Sequence, residues 1–192
     1  MKVMVVCPLL GERIELRKGN FKQLKNKLGK IKLLIFDVDG VLTDNTVWMG
    51  ADGAELKRFN VADGMGVYIA RRAGIPTAFI SGRPSVATIA RVNELGIEDF
   101  FQERGPKRVP FEKLLGKYKL TGEQVAFMGD DVIDVPLMKL AGISATVPHA
   151  PAYIRKYADI VTTHEAGMGA ARELVDLVIQ AKGFDPVDLT YK

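Results

Sequence analysis

The feature that most constrains this chain is an alternation. From Ile31 onward, apolar runs of strand length occur at LLIF (33–36), PTAFI (76–80), VAFM (125–128), ISATV (143–147) and DIV (159–161). Between them lie stretches with apolar residues at three- and four-residue steps: DGMGVYIARRAG (63–74), PSVATIARVNELG (84–96), PFEKLLGKY (110–118) and GAARELVDLVIQA (169–181). Strands that are apolar on both faces and separated by helices belong to a parallel sheet covered on both sides. The pattern predicts an α/β fold, a doubly wound parallel sheet of the Rossmann-like kind. The 192 residues suit one such domain. DFFQ (99–102) is expected to add a strand, and there is no internal repeat or low-complexity segment.

One piece breaks the alternation. NTVWMGADGAELKRFN (45–60) reads as a β-hairpin, with Val47 and Trp48 on one arm, a Gly50–Gly53 turn containing Asp52-Gly53, and Glu55 to Phe59 on the other. Inserted after the first apolar strand, it is expected to hang as a flap over the carboxyl edge of the sheet, where α/β proteins bind ligands. Residues 1–30 form an extension: an edge strand at VMVV, a polar, turn-like GERIELRKGN, and a short amphipathic helix carrying Phe21, Leu24 and Leu28. The main domain is expected over 31–182, with a tail at 183–192.

The polar residues gather where strands end. Asp37 and Asp39 follow LLIF; Ser81, Gly82 and Arg83 follow PTAFI; Gly129, Asp130 and Asp131 follow VAFM, with Asp134 one turn on. In a parallel sheet these ends share one edge, and Lys107, after DFFQ, reaches the same edge. Carboxylates so crowded repel one another and raise one another's pKa. A hard divalent cation removes that penalty, and Mg²⁺ is usually held by one or two carboxylates together with waters and phosphate oxygens. The cluster therefore predicts a metal, and the metal predicts a phosphate. Ser81 offers a hydroxyl to it, Lys107 a charge, and glycines 40, 82 and 129 allow close backbone approach. No cysteine lies near, and His149 and His164 stand in late loops. Asp37 is then the natural nucleophile, forming an aspartyl-phosphate, with Asp39 placed as acid and base.

Blander readings compete. An EF-hand loop also begins D-x-D, but it wants Gly sixth and Glu twelfth, where Leu42 and Trp48 stand. GDD and SGR alone are common turns. Asp63 suits a cap on the helix that follows as well as a substrate contact. Arg91 suits plain surface charge, Trp48 packing at an interface, Asp44 the turn, and Cys7 a small buried hydrophobe.

Taken together, DVDGVLTD, SGR, the Lys of GPK and GDDVID occur in the order of the four motifs of the haloacid dehalogenase superfamily of phosphohydrolases, and the chain resembles that family over residues 31–182. GAELKRFNVADGMG, ISGR, GDDVIDVPLM, YADIVTT and GMGAARELVDLVI are similar to its cap-less 3-deoxy-D-manno-octulosonate 8-phosphate phosphatases. The resemblance implies no large cap domain. It also implies Mg²⁺ on the side chains of Asp37 and Asp130 and the main-chain carbonyl of Asp39. Asp37 is implied as nucleophile, Asp39 as acid/base, Ser81 and Lys107 as phosphate binders, and Asp131 and Asp134 as orienters of Lys107 and the metal shell. Substrate contacts are implied at Asn60, Val61, Ala62, Asp63, Gly64, Gly82, Arg83 and Arg91. A homotetramer is implied in which hairpins meet through Trp48 and Met49, with Gly167, Gly169 and Arg172 near the adjoining site. The activity implied is release of the free sugar acid for lipopolysaccharide precursor synthesis. Ala62 and Tyr68 depart from the basic residues of many relatives, EAGMG is less glycine-rich than usual, and residues 1–20 have no counterpart. Arg83 argues against nine-carbon keto-deoxy sugar phosphates. Two other readings, a receiver-type phospho-acceptor and a non-catalytic assembly module, lack respectively a place for Asp39 and a reason to keep the full set.

The remaining composition narrows partners. Lys+Arg number 27 against 23 Asp+Glu, a net charge of +4 spread along the chain. No basic stripe with stacking aromatics favours nucleic acid. No apolar run reaches membrane length. The opening MKVMVVCPLL looks like a signal peptide, yet Pro8 interrupts it, no small-residue cleavage site follows, and Val6 stands where lipidation of Cys7 would want a small residue. With one cysteine and no disulfide, the cytoplasm is the expected compartment.

Overall fold

The computed structural model describes residues 3–7, 10–11, 13–17 and 19–191. In chain order the elements are β1 (Val3–Val6), β2 (Arg13–Leu16), α1 (Phe21–Gly29), β3 (Leu33–Phe36), β4 (Trp48–Met49), β5 (Glu55–Leu56), α2 (Val61–Arg72), β6 (Thr77–Ser81), α3 (Val86–Leu95) and β7 (Asp99–Gln102). There follow α4 (Arg108–Tyr118), β8 (Val125–Met128), α5 (Val135–Leu140), β9 (Ile143–Thr146), α6 (Ala152–Arg155), β10 (Ile160–Val161) and α7 (Ala170–Ala181).

Among the described residues eight strands form one sheet in the order β1-β2-β10-β9-β8-β3-β6-β7, parallel from β10 to β7. The inner strands β3, β8, β9 and β10, and nearly all of β6, are buried on both faces, as their composition requires. Leu34, Phe36, Ala126, Met128 and Phe79 face a core with residues of α1, α2 and α7. Their neighbours Leu33, Ile35, Val125, Phe127, Ala78 and Ile80 face a second core with α4 and α5. Side chains alternate faces along a strand, so one run of four apolar residues serves two layers. After β3 the chain builds β6 and β7 on one side, then returns to build β8, β9 and β10 on the other. The sheet therefore changes direction beside β3, and a doubly wound sheet binds ligands at such a point.

The amino-terminal stretch holds a correction. Residues 11–20 were expected as a polar turn, yet β2 lies there, paired antiparallel with both β1 and β10. Ile14 and Leu16 alternate with Arg13 and Glu15 and are buried, a period of two that short polar flanks disguise. Asn20 caps α1 through a reciprocal pair with Gln23. Cys7 is free and buried, as its size and polarity suggest.

The flap is a hairpin of two-residue arms, Trp48–Met49 against Glu55–Leu56. Its turn is closed by the Gly50 N–H on the Ala54 carbonyl (2.8 Å) and by Asp52, whose carboxylate accepts from the Ala54 N–H (3.0 Å). Gly53 has φ +82°, where an L side chain would be strained. Asp44 accepts from the Thr46 N–H and hydroxyl and pairs with Arg58 at 2.9 Å, the turn role expected of it. Among the described residues no helix is long and apolar enough to cross a membrane.

Candidate active site

β3 lies between β8 and β6, so the residues that leave these three strands meet. Asp37 follows β3, Ser81 ends β6, and Asp130 follows β8 by two residues; all three are buried. The Asp37 N–H is fixed to the Met128 carbonyl at 2.9 Å, which locks the first loop to the strand beside it. Lys107, at the start of α4, reaches in from beyond β7. Its ammonium lies 2.8 Å from Asp37 Oδ1 and 2.7 Å from Asp134 Oδ1, and it too is buried.

Carboxylate oxygens of Asp37, Asp130 and Asp134 lie within 4.8 Å of one another. Their hydrogen bonds separate their roles. Asp134 spends both oxygens inside the protein, Oδ1 on Lys107 and Oδ2 on the N–H groups of Asp130 (3.0 Å) and Asp131 (3.2 Å). Asp37 uses Oδ1 alone, for Lys107 and the Val38 N–H (2.7 Å). Asp130 Oδ1 is buried with no hydrogen-bond partner among the described residues. An orphaned carboxylate oxygen in such a place is costly unless something cationic completes it. Gly40, at φ +85°, makes room for it: a Cβ there would stand 2.2 Å from Asp130 Oδ2. Three carboxylates against one ammonium, all hard oxygen donors, fit Mg²⁺ through Asp37 and Asp130.

The electrostatics agree. Burial, and then the charge of Asp134, push the Asp37 carboxyl well above the ordinary range, with Lys107 opposing. Burial raises Asp130 to about 7, with Asp134 and Asp131 adding to it. Burial works against the Lys107 ammonium, but Asp37 and Asp134 outweigh it and raise its pKa.

Around this centre the predicted residues divide. The Ser81 hydroxyl donates to the Arg83 carbonyl and accepts from the Arg83 N–H, both at 3.1 Å, in a tight local loop. Gly82 lies close to Ile133 and to the Lys107 stem. Arg83 does not stand free: its Nη2 bonds Glu55 on the flap, while Nη1 is buried without a partner among the described residues. Asn60 caps α2 through the Ala62 N–H (2.7 Å) and donates to the Gly167 carbonyl (3.4 Å). Val61 and Ala62 are exposed at the first turn of α2. The Arg91 guanidinium donates to the Asn60 carbonyl at 2.9 Å and lies so close to Gly64 that a Cβ there would meet it at 2.7 Å.

Asp63 does not cap its own helix. It is buried, and it accepts from the Gly169 N–H (3.3 Å) and the Arg172 N–H (2.9 Å), so it caps α7 across the molecule. Burial raises its pKa against those bonds. Asp131 makes no ion pair with Lys107 among the described residues: its carboxylate accepts from the Val132 N–H at 2.6 Å and caps a short 3₁₀ helix at Val132–Asp134. The two histidines are engaged elsewhere, His149 with Glu165 (2.6 Å) and His164 with Glu173 (2.8 Å).

Sequence reasoning missed Lys57 and Glu55. The Lys57 ammonium lies 2.6 Å from Asp39 Oδ1. Glu55 joins Arg83, the Ser85 hydroxyl and, at 3.7 Å, Lys57. Bonds from Arg83 and Ser85 hold its carboxyl down at about 2. Their only signal was that E-x-K sits on one face of a strand whose turn is polar, a pattern that surface strands share.

Comparison with known proteins agrees with this geometry. The family profile described as haloacid dehalogenase-like hydrolase matches residues 66–142. The 3-deoxy-D-manno-octulosonate 8-phosphate phosphatase KdsC of Escherichia coli K12 is 43% identical over 157 residues, 82% of this chain and 84% of that protein. The crystal structure of the 3-deoxy-D-manno-octulosonate 8-phosphate phosphatase from Yersinia pestis superposes with a TM-score of 0.85 at 34% identity, covering 95% of each chain. That of the Moraxella catarrhalis phosphatase, in complex with a magnesium ion, a phosphate ion and a KDO molecule, gives a TM-score of 0.85 at 33% identity, covering 90% of this chain and 100% of that one.

Proposed function

Because this chain belongs to the haloacid dehalogenase-like hydrolases, among the 3-deoxy-D-manno-octulosonate 8-phosphate phosphatases, we propose that it is the Mg²⁺-dependent phosphatase of that sugar acid phosphate. The observation that carries the reading is the split among three buried carboxylates. Asp134 has no oxygen to spare, whereas Asp37 and Asp130 each keep one beside a buried ammonium.

Asp37 and Asp130, with the main-chain carbonyl of Asp39, would hold the ion. When bound, Mg²⁺ offsets the carboxylate charge and polarises the phosphoryl oxygens. Lys107 and the Ser81 hydroxyl take the other phosphate oxygens, Lys107 being held at a fixed point by Asp134. Asp37 attacks phosphorus in line with the leaving oxygen and becomes an aspartyl-phosphate. Asp39 gives its proton to the departing alkoxide and then takes one from the water that hydrolyses the acyl phosphate. A pre-set array of charges at the phosphoryl group supplies most of the rate.

The sugar acid lies against Asn60, Val61, Ala62, Gly64, Gly82, Arg83 and Arg91. The unpartnered Nη1 of Arg83 supports a carboxylate there. Asp63 serves this surface indirectly, by tying α2 to α7. Arg83 also favours the eight-carbon substrate over a nine-carbon one. The hairpins pair in a homotetramer, a reading supported by Trp48, Met49 and Leu56, exposed by 69%, 62% and 68%. Residues 31–182 form the phosphatase domain, extended at 1–30 and tailed by 183–192. The product feeds lipopolysaccharide precursor synthesis in the cytoplasm.

The test is phosphate release from a series of sugar phosphates that includes eight- and nine-carbon keto-deoxy acids. The eight-carbon ester is expected to be the best substrate with Mg²⁺. Activity should vanish on chelation and in Asp37→Asn; survival under either condition would remove the mechanism.

A further inference from the structure

A second lysine is buried at the reacting centre, and the central sheet does not supply it. Lys57 follows β5, at the foot of the flap. Its side chain is 0% exposed, and its ammonium lies 2.6 Å from Asp39 Oδ1 and 3.7 Å from Glu55 Oε1. It also donates to the Thr88 hydroxyl of α3 at 3.2 Å. Glu55 is in turn held by Arg83 and Ser85. The ammonium is thus fixed by groups from three places: the flap, the start of α3 and the loop after β3.

Packing does not account for it. An apolar side chain of the same length fills such a slot without the cost of stripping water from an ammonium. The side chain has no exposed surface. What it touches is the carboxylate assigned to proton transfer. The ion pair is to Asp39 Oδ1; both carboxylate oxygens are buried and neither has a partner in hydrogen-bond geometry among the described residues, so it is the charge of the ammonium that holds the carboxyl.

We propose that Lys57 is a positioning residue for Asp39. The ammonium 2.6 Å from Oδ1 anchors the carboxyl at that oxygen by charge and leaves Oδ2 for the ester. In the first step the bond from Asp37 to phosphorus forms as the bond from phosphorus to the leaving oxygen breaks, and the Oδ2 proton passes to that oxygen. In the second, water forms its bond to phosphorus, the Asp37–phosphorus bond breaks, and the water's proton returns to Oδ2. Lys57 neither gains nor loses a proton; it holds the carboxyl in one rotamer through both steps. The flap therefore helps set the acid's geometry.

This inference rests on the reading of Asp39 as acid and base, and its test separates the two. Alkyl phosphates need their leaving oxygen protonated, whereas p-nitrophenyl phosphate, with a good leaving group, needs it far less. Lys57→Met keeps the length and removes the charge. Its kcat on the sugar phosphate is expected to fall by ~10²-fold, and on the aryl ester at least ~10-fold less, with KM for each within about threefold of wild type. In an Asp39→Asn background, adding Lys57→Met should cost less than about threefold on the aryl ester, since residues acting as a unit are non-additive. Equal losses on both esters, an effect confined to KM, or additive losses in the double variant would each overturn the role. Should Lys57→Met not fold, Lys57→Gln carries the same comparison. If wild type cleaves aryl but not sugar-acid phosphates, only the substrate assignment falls, and the alkyl arm uses glycerol phosphate. A wild type inert to every ester would overturn the phosphatase reading and this role with it.

Discussion

The sheet edge and the flap each bury one lysine against a catalytic aspartate, and they hold it in opposite ways. At the edge, Lys107 meets Asp37 and Asp134, whose backbones are pinned by strand pairing and a turn. At the flap, Lys57 hangs from a hairpin of two-residue arms, and its place depends on side-chain contacts with Asp39, Thr88 and Glu55. Two-stranded hairpins are marginal alone. The comparison teaches that the phosphate-binding half of the site is set by the backbone. The leaving-group half is set by ion pairs that a solvent change or a neighbouring surface can alter.

The largest effect should come from breaking the edge. Lys107→Met leaves two buried carboxylates uncompensated, which costs ~3–5 kcal/mol. In a chain of this size that lowers the melting temperature by roughly 6–20 °C, read by calorimetry in the presence of chelator. Phosphate release should fall by at least ~10²-fold. Mg²⁺ should recover part of the melting temperature and little of the rate, because the ion replaces lost charge but not a phosphate ligand. A loss under ~1 kcal/mol would mean that the edge is no more rigid than the flap.

An intermediate effect separates the regions by pH, in metal-free protein. Asp130 has a folded pKa raised to about 7. Its folded form therefore binds the proton more tightly than the unfolded chain does, and its stabilising contribution, full below about 4, is lost as pH rises towards 7. Glu55 has a folded pKa lowered to about 2, so its contribution is present above about 4.5 and lost as pH falls towards 2. Melting curves with chelator should show the edge favouring mild acid and the flap losing ground only below it. Adding Mg²⁺ should raise the melting temperature more at pH 8 than at pH 5, since the ion then displaces no proton. A Mg²⁺ increment independent of pH would break this assignment.

The smallest effect belongs to the hairpin surface. Trp48 is exposed, so Trp48→Ser should leave the melting of an isolated subunit within about 0.5 kcal/mol of wild type. It should nonetheless weaken the tetramer in sedimentation experiments. A variant that sediments as wild type would place the subunit contacts elsewhere.

Much of this is legible in the amino-acid order. A run such as LLIF followed by Asp37 states both a strand and its polar end, because burial on both faces leaves no other use for four apolar residues. Asp130 and Ser81 were found by the same rule. What escaped were groups whose neighbours lie far along the chain. Local spacing offered Asp63 as a cap on its own helix or as a substrate contact, while its hydrogen-bond partners are 106 and 109 residues away at the start of α7. β2 was hidden because its two buried residues, Ile14 and Leu16, are set among polar ones in a run of only four.

By itself, then, the amino-acid order determined the layers, the strand ends and the acidic residues brought to them, since each follows from local periodicity and the parallel rule. It did not determine which oxygen of each carboxylate stays free, nor that Lys57 is buried against Asp39. Those depend on distances between side chains from separate elements, and a pair such as Lys57 and Asp39 has no periodic signature. Only packing fixes such distances, because only the folded chain removes the water that would otherwise hold those charges apart.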